Sequence, residues 1–250
     1  MFSHVIVVVL ENKAYSQILG TAKAPFLNGL ARSGAVLDDS YALTHPSEPN
    51  YVALFAGSTH GLSDDSCPHT FTGPNLAAAL QGAGHSFVGY SEDLPHPGFD
   101  GCTAGDYARK HSPWTNFADL PATVNQPMSA FPTDLAALPT VSFVIPNLRH
   151  DMHDGTVADS DRWLRTHLGG YADWATSHNS LLVITGDEDD KSHGNHIATI
   201  LSGAHVVPGH YAQRVTHYDL LRTLLDSYRL RSFANTSSAA PLTGMWTTTG

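Results

Sequence analysis

Residues 5–13 read Val5-Ile6-Val7-Val8-Val9-Leu10-Glu11-Asn12-Lys13, an apolar run that stops at a carboxylate, an amide and an ammonium. A strand made of such a run has no polar face, so it must be covered on both sides, as central strands of parallel sheets are. The run is too short to span a membrane, and the polar residues that follow it at once do not fit an intact signal peptide. A strand beginning near residue 4 is what a mature domain shows once an export signal is removed. A cytosolic enzyme can begin the same way.

Further runs of strand length follow at Ala35–Leu37, Ser86–Tyr90, Val141–Ile145, Leu181–Thr185 and Ile197–Leu201. Between them lie helix-permissive stretches at about 25–32, 49–56, 74–82, 157–177 and 217–228. Repeated alternation of this kind predicts an α/β three-layer sandwich around a mainly parallel sheet. Ser160, Trp163, Leu164, His167, Leu168, Tyr171 and Trp174 recur at three- and four-residue steps, which predicts a helix whose stripe packs on that sheet. No linker divides the chain, so we expect one domain over residues 1–250. Its core should occupy about 4–230, and the Thr-, Ser- and Ala-rich stretch of about 231–250 should form a loosely docked tail.

The 250 residues are 42% hydrophobic and only 14% charged, which excludes a disordered chain. A formal charge of −10 disfavours non-specific binding to nucleic acid or to an anionic membrane, so an anionic ligand needs a local positive feature. Sixteen histidines make the charge unusually sensitive to mild acid. Cys67 and Cys102 both lie in loops rich in Gly, Pro, Ser and Asp. We favour a disulfide, which would close a loop of about 35 residues, be worth on the order of 3–4 kcal/mol and imply an extracytoplasmic location. Two free loop thiols are the alternative.

Ligands of open α/β sheets sit beyond the carboxyl ends of the strands. Glu11 and Asn12 follow the first run, and Gly186-Asp187-Glu188-Asp189-Asp190 follow the fifth. Carboxylates gathered at one edge repel unless protonated or bridged, and oxygen donors suit Ca²⁺, Mg²⁺, Mn²⁺ or Fe²⁺. A solvated acidic turn is the bland reading of Asp187–Asp190. Ser47 precedes the stretch Val52-Ala53-Leu54-Phe55-Ala56 and falls at a helix N-cap. There it either satisfies a backbone amide or, beside a dication, becomes a nucleophile that needs no histidine base.

These residues belong to a longer pattern. Glu11-Asn12-Lys13, His45-Pro46-Ser47-Glu48-Pro49-Asn50-Tyr51, Tyr107-Ala108-Arg109-Lys110-His111-Ser112-Pro113, Pro146-Asn147 with Asp151-Met152-His153-Asp154, and Asp187-Glu188 occur in that order. Together they resemble the bacterial phosphoesterase family of secreted acid phosphatases and phospholipases C, within the alkaline-phosphatase-like superfamily. The resemblance runs from about residue 4 to 228. It implies an alkaline-phosphatase-like fold and one divalent ion held by Glu11, Asn12, Ser47, Asp187 and Glu188, with Ser47 also the nucleophile. It implies that Asn50 and Lys110 contact the substrate phosphate, and that His111 and His153 act on phosphoryl oxygens or the leaving group. His150, His193, His196 and His217 stay outside this assignment.

The expected activity is that of a secreted phosphomonoesterase of acid phosphatase type, working through a phosphoserine on a small-molecule or lipid-headgroup ester. A neutral to acidic optimum follows if His111 and His153 act as cations. A phospholipase C type diesterase is the runner-up, and the chain's length, without large extra domains, favours monoesters. A non-catalytic extracellular metal- or anion-binding protein is the rival from another class. A Gly-x-Ser-x-Gly elbow, a Walker loop, a dinucleotide fingerprint and zinc-type cysteine pairs are all absent from the sequence.

Overall fold

The computed structural model describes residues 1–247. Its centre is an eight-stranded sheet containing β1 (His4–Leu10), β2 (Ala35–Tyr41), β3 (Phe87–Ser91), β6 (Asn125–Pro127), β7 (Val141–Ile145), β8 (Ser180–Gly186), β9 (Thr199–Gly203) and β10 (Gly209–Thr216). A separate two-stranded hairpin is formed by β4 (Thr103–Ala104) and β5 (Tyr107–Ala108). The order across the main sheet is β10-β2-β9-β8-β1-β7-β3-β6. Every pairing is parallel except those of β9 with β2 and β8. The sheet is therefore mainly parallel, as the apolar runs predict, and it is covered on both faces.

One face carries α3 (Ser47–Ala56), α4 (Leu76–Gly82) and α6 (His217–Ser227), packed against the outward side chains of Val5, Val7 and Val9. The other carries α2 (Pro25–Ser33) and α5 (Val157–Ala175), packed against Ile6 and Val8. A short helix, α1 (Tyr15–Ile18), follows the turn after β1. All ten residues of α3 are buried, so it is an internal helix rather than an amphipathic one. It ends at Gly57, whose φ of 67° closes the last turn in the left-handed region that glycine tolerates best. On α5, Trp163, Leu164, Leu168 and Tyr171 face the core as expected, whereas His167 is exposed and Trp174 half-buried.

Three parts differ from the sequence expectations. The run at Ile197–Leu201 forms β9 two residues later, at Thr199–Gly203, and is antiparallel, because an apolar stretch specifies burial and not direction. The edge strand β10 is half-exposed and polar in alternation, so it has no apolar run to announce it. The stretch after 231 is not loosely docked. Leu242 and Met245 are buried in the core, and Trp246 forms a bridge with Val206. Its last three residues, 248–250, lie outside the described ones. Replacing Met245 with alanine should cost about 2–5 kcal/mol, the usual range for a buried large-to-small change. An unchanged urea midpoint would show that the segment contributes nothing to the core.

Candidate active site

Parallel register brings the site together. Leu10 pairs with Gly186, so the residues that leave β1 and β8 emerge side by side at the carboxyl edge. The turn after β1 passes through Asn12 at φ 51°, a left-handed conformation that asparagine tolerates better than most residues. This turns the Asn12 amide toward Asp187 Oδ1, to which it donates at 3.2 Å. Glu11, Asp187 and Glu188 are all buried. The chain leaving β7 adds another carboxylate, Asp151, whose own carbonyl accepts from the Glu11 amide at 2.7 Å. Met152 beside it has φ 87°, strained backbone for a bulky residue, and Lys13 Nζ donates to its carbonyl at 3.0 Å.

Ser47 is the first helical residue of α3, one position inside its expected N-cap; Pro46 occupies the cap and makes no side-chain cap bond. The hydroxyl is thereby free to point at the carboxylates. It donates to Glu11 Oε2 at 2.9 Å and lies 3.3 Å from Glu188 Oε1. His45 holds Glu188 from the far side, with Nδ1 at 2.6 Å from Oε2 and Nε2 at 3.4 Å from Asp189 Oδ1. His217, buried at the start of α6, reaches the Asp187 carbonyl through Nε2 at 2.8 Å, and burial lowers its pKa to about 4. His45 and His217 thus fix the acidic turn, whose bland reading as a solvated loop does not hold for Asp187–Asp189.

His111 is buried between Glu11 Oε1, 3.2 Å from Nε2, and Asp151 Oδ2, 3.1 Å from Nδ1. Tyr51 stacks on its ring at 4.9 Å. Burial lowers the His111 pKa to about 4, so it is not the ready cation that the sequence reading takes it to be. His153 is half-buried, with Nδ1 2.7 Å from Asp154 Oδ1 and its ring 6.1 Å from that of His111. Lys110 lies at the rim, its Nζ donating to Asp65 Oδ2 at 2.8 Å. Burial works against its charge, yet the Asp65 hydrogen bond together with Glu11 and Asp187 raises its pKa.

Asn50 is engaged within its own loop. Its Oδ1 accepts from the Leu43 and Thr44 amides, and its Nδ2 donates to the Thr44 and Pro46 carbonyls. The Asn50 amide thus braces the loop before Ser47. Asp151 and Tyr51, to which the sequence assigns no role, line the same pocket by packing on His111. Each sat inside a quoted motif, but only the fold shows that both meet His111.

The donor set fits a divalent cation. Glu11 Oε1, Asp151 Oδ2, Asp187 Oδ2, Tyr51 Oη and His111 Nε2 are buried and make no hydrogen bond of good geometry among the described residues, because the close His111 contacts with Glu11 and Asp151 are misaligned. Burial, then the Glu11 and Glu188 charges, raises the Asp187 pKa, and burial raises that of Asp151 to about 7. Unpaired buried carboxylates are costly unless they take up protons or a cation. Among the described residues, the one group of carboxylates and imidazoles whose donor atoms all lie within 4.8 Å of one another is Asp189, Asp190 and His193. The Asp189 oxygens, however, already accept from the amides of Lys191, His193 and Asn195. His196 is stacked between Tyr15 and Tyr41 at the sheet edge, and His150 bonds Glu92 beside Trp163. Neither joins the carboxylate cluster.

The disulfide between Cys67 and Cys102 is present, with Cα atoms 5.8 Å apart, and no helix among the described residues is long and apolar enough to cross a membrane. Residues 21–231 match the Phosphoesterase family. The chain is 50% identical to a phosphatidylinositol-3-phosphatase of Mycobacterium tuberculosis, over 98% of this chain and 83% of that protein. It is 30% identical to a probable acid phosphatase of Kluyveromyces lactis over 83% of its length, spanning 52% of that longer protein. A Vibrio parahaemolyticus protein of the alkaline phosphatase superfamily superposes with a TM-score of 0.63 at 12% identity, covering 97% of this chain and 71% of that one. The sandwich, the carboxylate edge and these likenesses agree: the chain belongs to the phosphoesterase family and is a phosphoester hydrolase.

Proposed function

We propose that the protein is a metal-dependent phosphomonoesterase that transfers the phosphoryl group to Ser47 and then to water. The observation that carries this reading is the Ser47 hydroxyl, buried at the start of α3 and hydrogen-bonded to Glu11 among carboxylates with unpartnered oxygens. A divalent ion held by Glu11, Asn12, Asp187 and Glu188 beside Ser47 would lower the hydroxyl pKa and offset the charge of the phosphate. Ca²⁺, Mg²⁺, Mn²⁺ and Fe²⁺ all suit these oxygen donors.

Ser47 gives up its hydroxyl proton, for which Glu11 Oε2 is the nearest acceptor, as Oγ bonds to phosphorus and the ester P–O bond breaks. His153, the accessible imidazole at the rim, donates a proton to the departing alkoxide. Water then attacks phosphorus, the Oγ–P bond breaks and Ser47 recovers its proton, releasing inorganic phosphate. Lys110 stands where its charge offsets that of the equatorial oxygens. The start of α3 adds the positive end of a helix dipole. The roles of His111 and Asp151 are to hold Glu11 and shape the floor of the site. A phosphoinositide headgroup is the first physiological ester to test, because the relative that is half identical is named for that substrate. The disulfide supports an extracytoplasmic location.

Turnover of p-nitrophenyl phosphate should be lost on chelation, restored by a divalent ion, and reduced by about three orders of magnitude or more in Ser47→Ala. Turnover of bis-p-nitrophenyl phosphate alone would move the activity to phosphodiesters, and turnover of neither would leave a binding protein. A divalent ion at about a hundred times its Kd should stabilise the chelator-treated protein by about 3 kcal/mol, seen as a rise in Tm. Asp187→Asn should abolish that rise; an equal rise in the variant would remove Asp187 from the ligand set. If His153 protonates the leaving group, His153→Ala should slow alkyl phosphates by about a hundredfold or more and p-nitrophenyl phosphate far less. Equal losses on both would assign His153 another role.

A further inference from the structure

The segment between α3 and α4 returns to the site twice although it contributes none of the groups assigned above. Cys67 ties it to Cys102 ahead of the hairpin, and Phe71 pairs with the 116–118 backbone through its own amide and carbonyl. Trp114, in the same stretch as Lys110 and His111, lies flat on Gly89 of β3, where a Cβ would come within 2.1 Å of the indole. The second half of this connection is therefore tied to the 102–118 stretch, which Trp114 seats on the sheet. Two residues before Cys67, Asp65 Oδ1 accepts at 2.9 Å from the Glu48 amide, an N–H of the first turn of α3 that has no partner within the helix and lies next to Ser47. Its Oδ2 accepts from Lys110 Nζ at 2.8 Å.

We propose that Asp65 is a positioning residue, which acts through Lys110 and the first turn of α3 to set the phosphate-binding side of the site. A lysine ammonium is a point charge on a flexible four-carbon stem. The buried Glu11 and Asp187 attract the Lys110 charge from one side. Without a partner at the rim, Lys110 would be drawn onto those carboxylates, where it would compete with a cation and leave the incoming phosphate unopposed. Asp65 supplies the counter-pull from the solvent side, at a side-chain exposure of 28% against 18% for Lys110. The same carboxylate fixes the helix turn that carries the nucleophile. This inference rests on the phosphatase reading, and it adds the requirement that a disulfide-anchored loop holds the anion-binding charge in place.

Asp65→Asn separates the two contacts, because it keeps an acceptor for the Glu48 amide and loses the charge that holds Lys110. We expect KM for p-nitrophenyl phosphate and Ki for inorganic phosphate to rise about tenfold in Asp65→Asn and in Lys110→Met. Neither quantity depends on the fraction of folded enzyme, so a purely structural defect would leave both unchanged. In Asp65→Asn/Lys110→Met the losses should not multiply, since both changes remove one interaction. Asp65→Ala should raise Ki at least as far as Asp65→Asn. Wild-type-like KM and Ki in Asp65→Asn, or losses that multiply in the double variant, would overturn the inference while leaving the phosphatase reading intact. A wild-type protein without turnover would instead defeat that reading. Calorimetric phosphate binding through the same set of variants would then decide the role of Asp65 by the same non-additivity, and absent phosphate binding would end both.

Discussion

Glu11, Asp151, Asp187 and Glu188 are kept out of water at one edge of the sheet, and the rest of the structure is arranged around the cost of doing so. An isolated buried carboxylate is costly enough that the group normally stays neutral or finds a partner. Some of the cost is met by the protein. The Asn12 amide serves Asp187, the Ser47 hydroxyl serves Glu11, and His45 serves Glu188. Buried oxygens without partners remain on Glu11, Asp151 and Asp187 after these contacts are counted. A surface cluster would relax by rotating into solvent, but the strand register of β1 and β8 forbids it.

That register links the core to the chemistry. The alternating valines and isoleucine of β1 fill both layers of the sandwich, so β1 is fixed by packing that has no stake in the site. Slipping β1 by one residue against β8 would exchange its two faces and withdraw Glu11 from Ser47 at the same time. α3 works in the same way. Its burial on every side fixes its axis, and with it the direction in which Ser47 points. Its capping chemistry comes from Asp65, outside the helix, which leaves the serine hydroxyl uncommitted to the backbone.

Much of this arrangement was legible in the residues. The runs at Val5–Leu10 and Leu181–Thr185 are buried on both faces as read, and the polar residues after them meet. Cys67 and Cys102 pair. What remained hidden has physical reasons in each case. Asn50 stands three residues after Ser47, and only the fold shows that its amide also braces the loop at 43–46. His111 carries no sequence mark of burial, because its enclosure is produced by Tyr51 and Asp151 from distant parts of the chain. Leu242, Met245 and Trp246 were apolar signals within a polar tail, outweighed by their neighbours in composition but not in packing.

The charge balance sets what the site needs in order to hold an anion. A chain with a formal charge of −10 repels the phosphate dianion at long range, so attraction must be local and must exceed the field of the buried carboxylates. His111 contributes little positive charge at neutral pH, since burial holds its pKa near 4. The start of α3 supplies a partial charge and Lys110 a whole one, but Lys110 is shared with Asp65. These protein groups alone face more negative than positive charge. On the proposed reading, an ion held by Glu11, Asn12, Asp187 and Glu188 would relieve the unpartnered oxygens of Glu11 and Asp187 and offset the negative field at Ser47. Stability and substrate affinity would then rise together as that ion binds, because one electrostatic event would serve both.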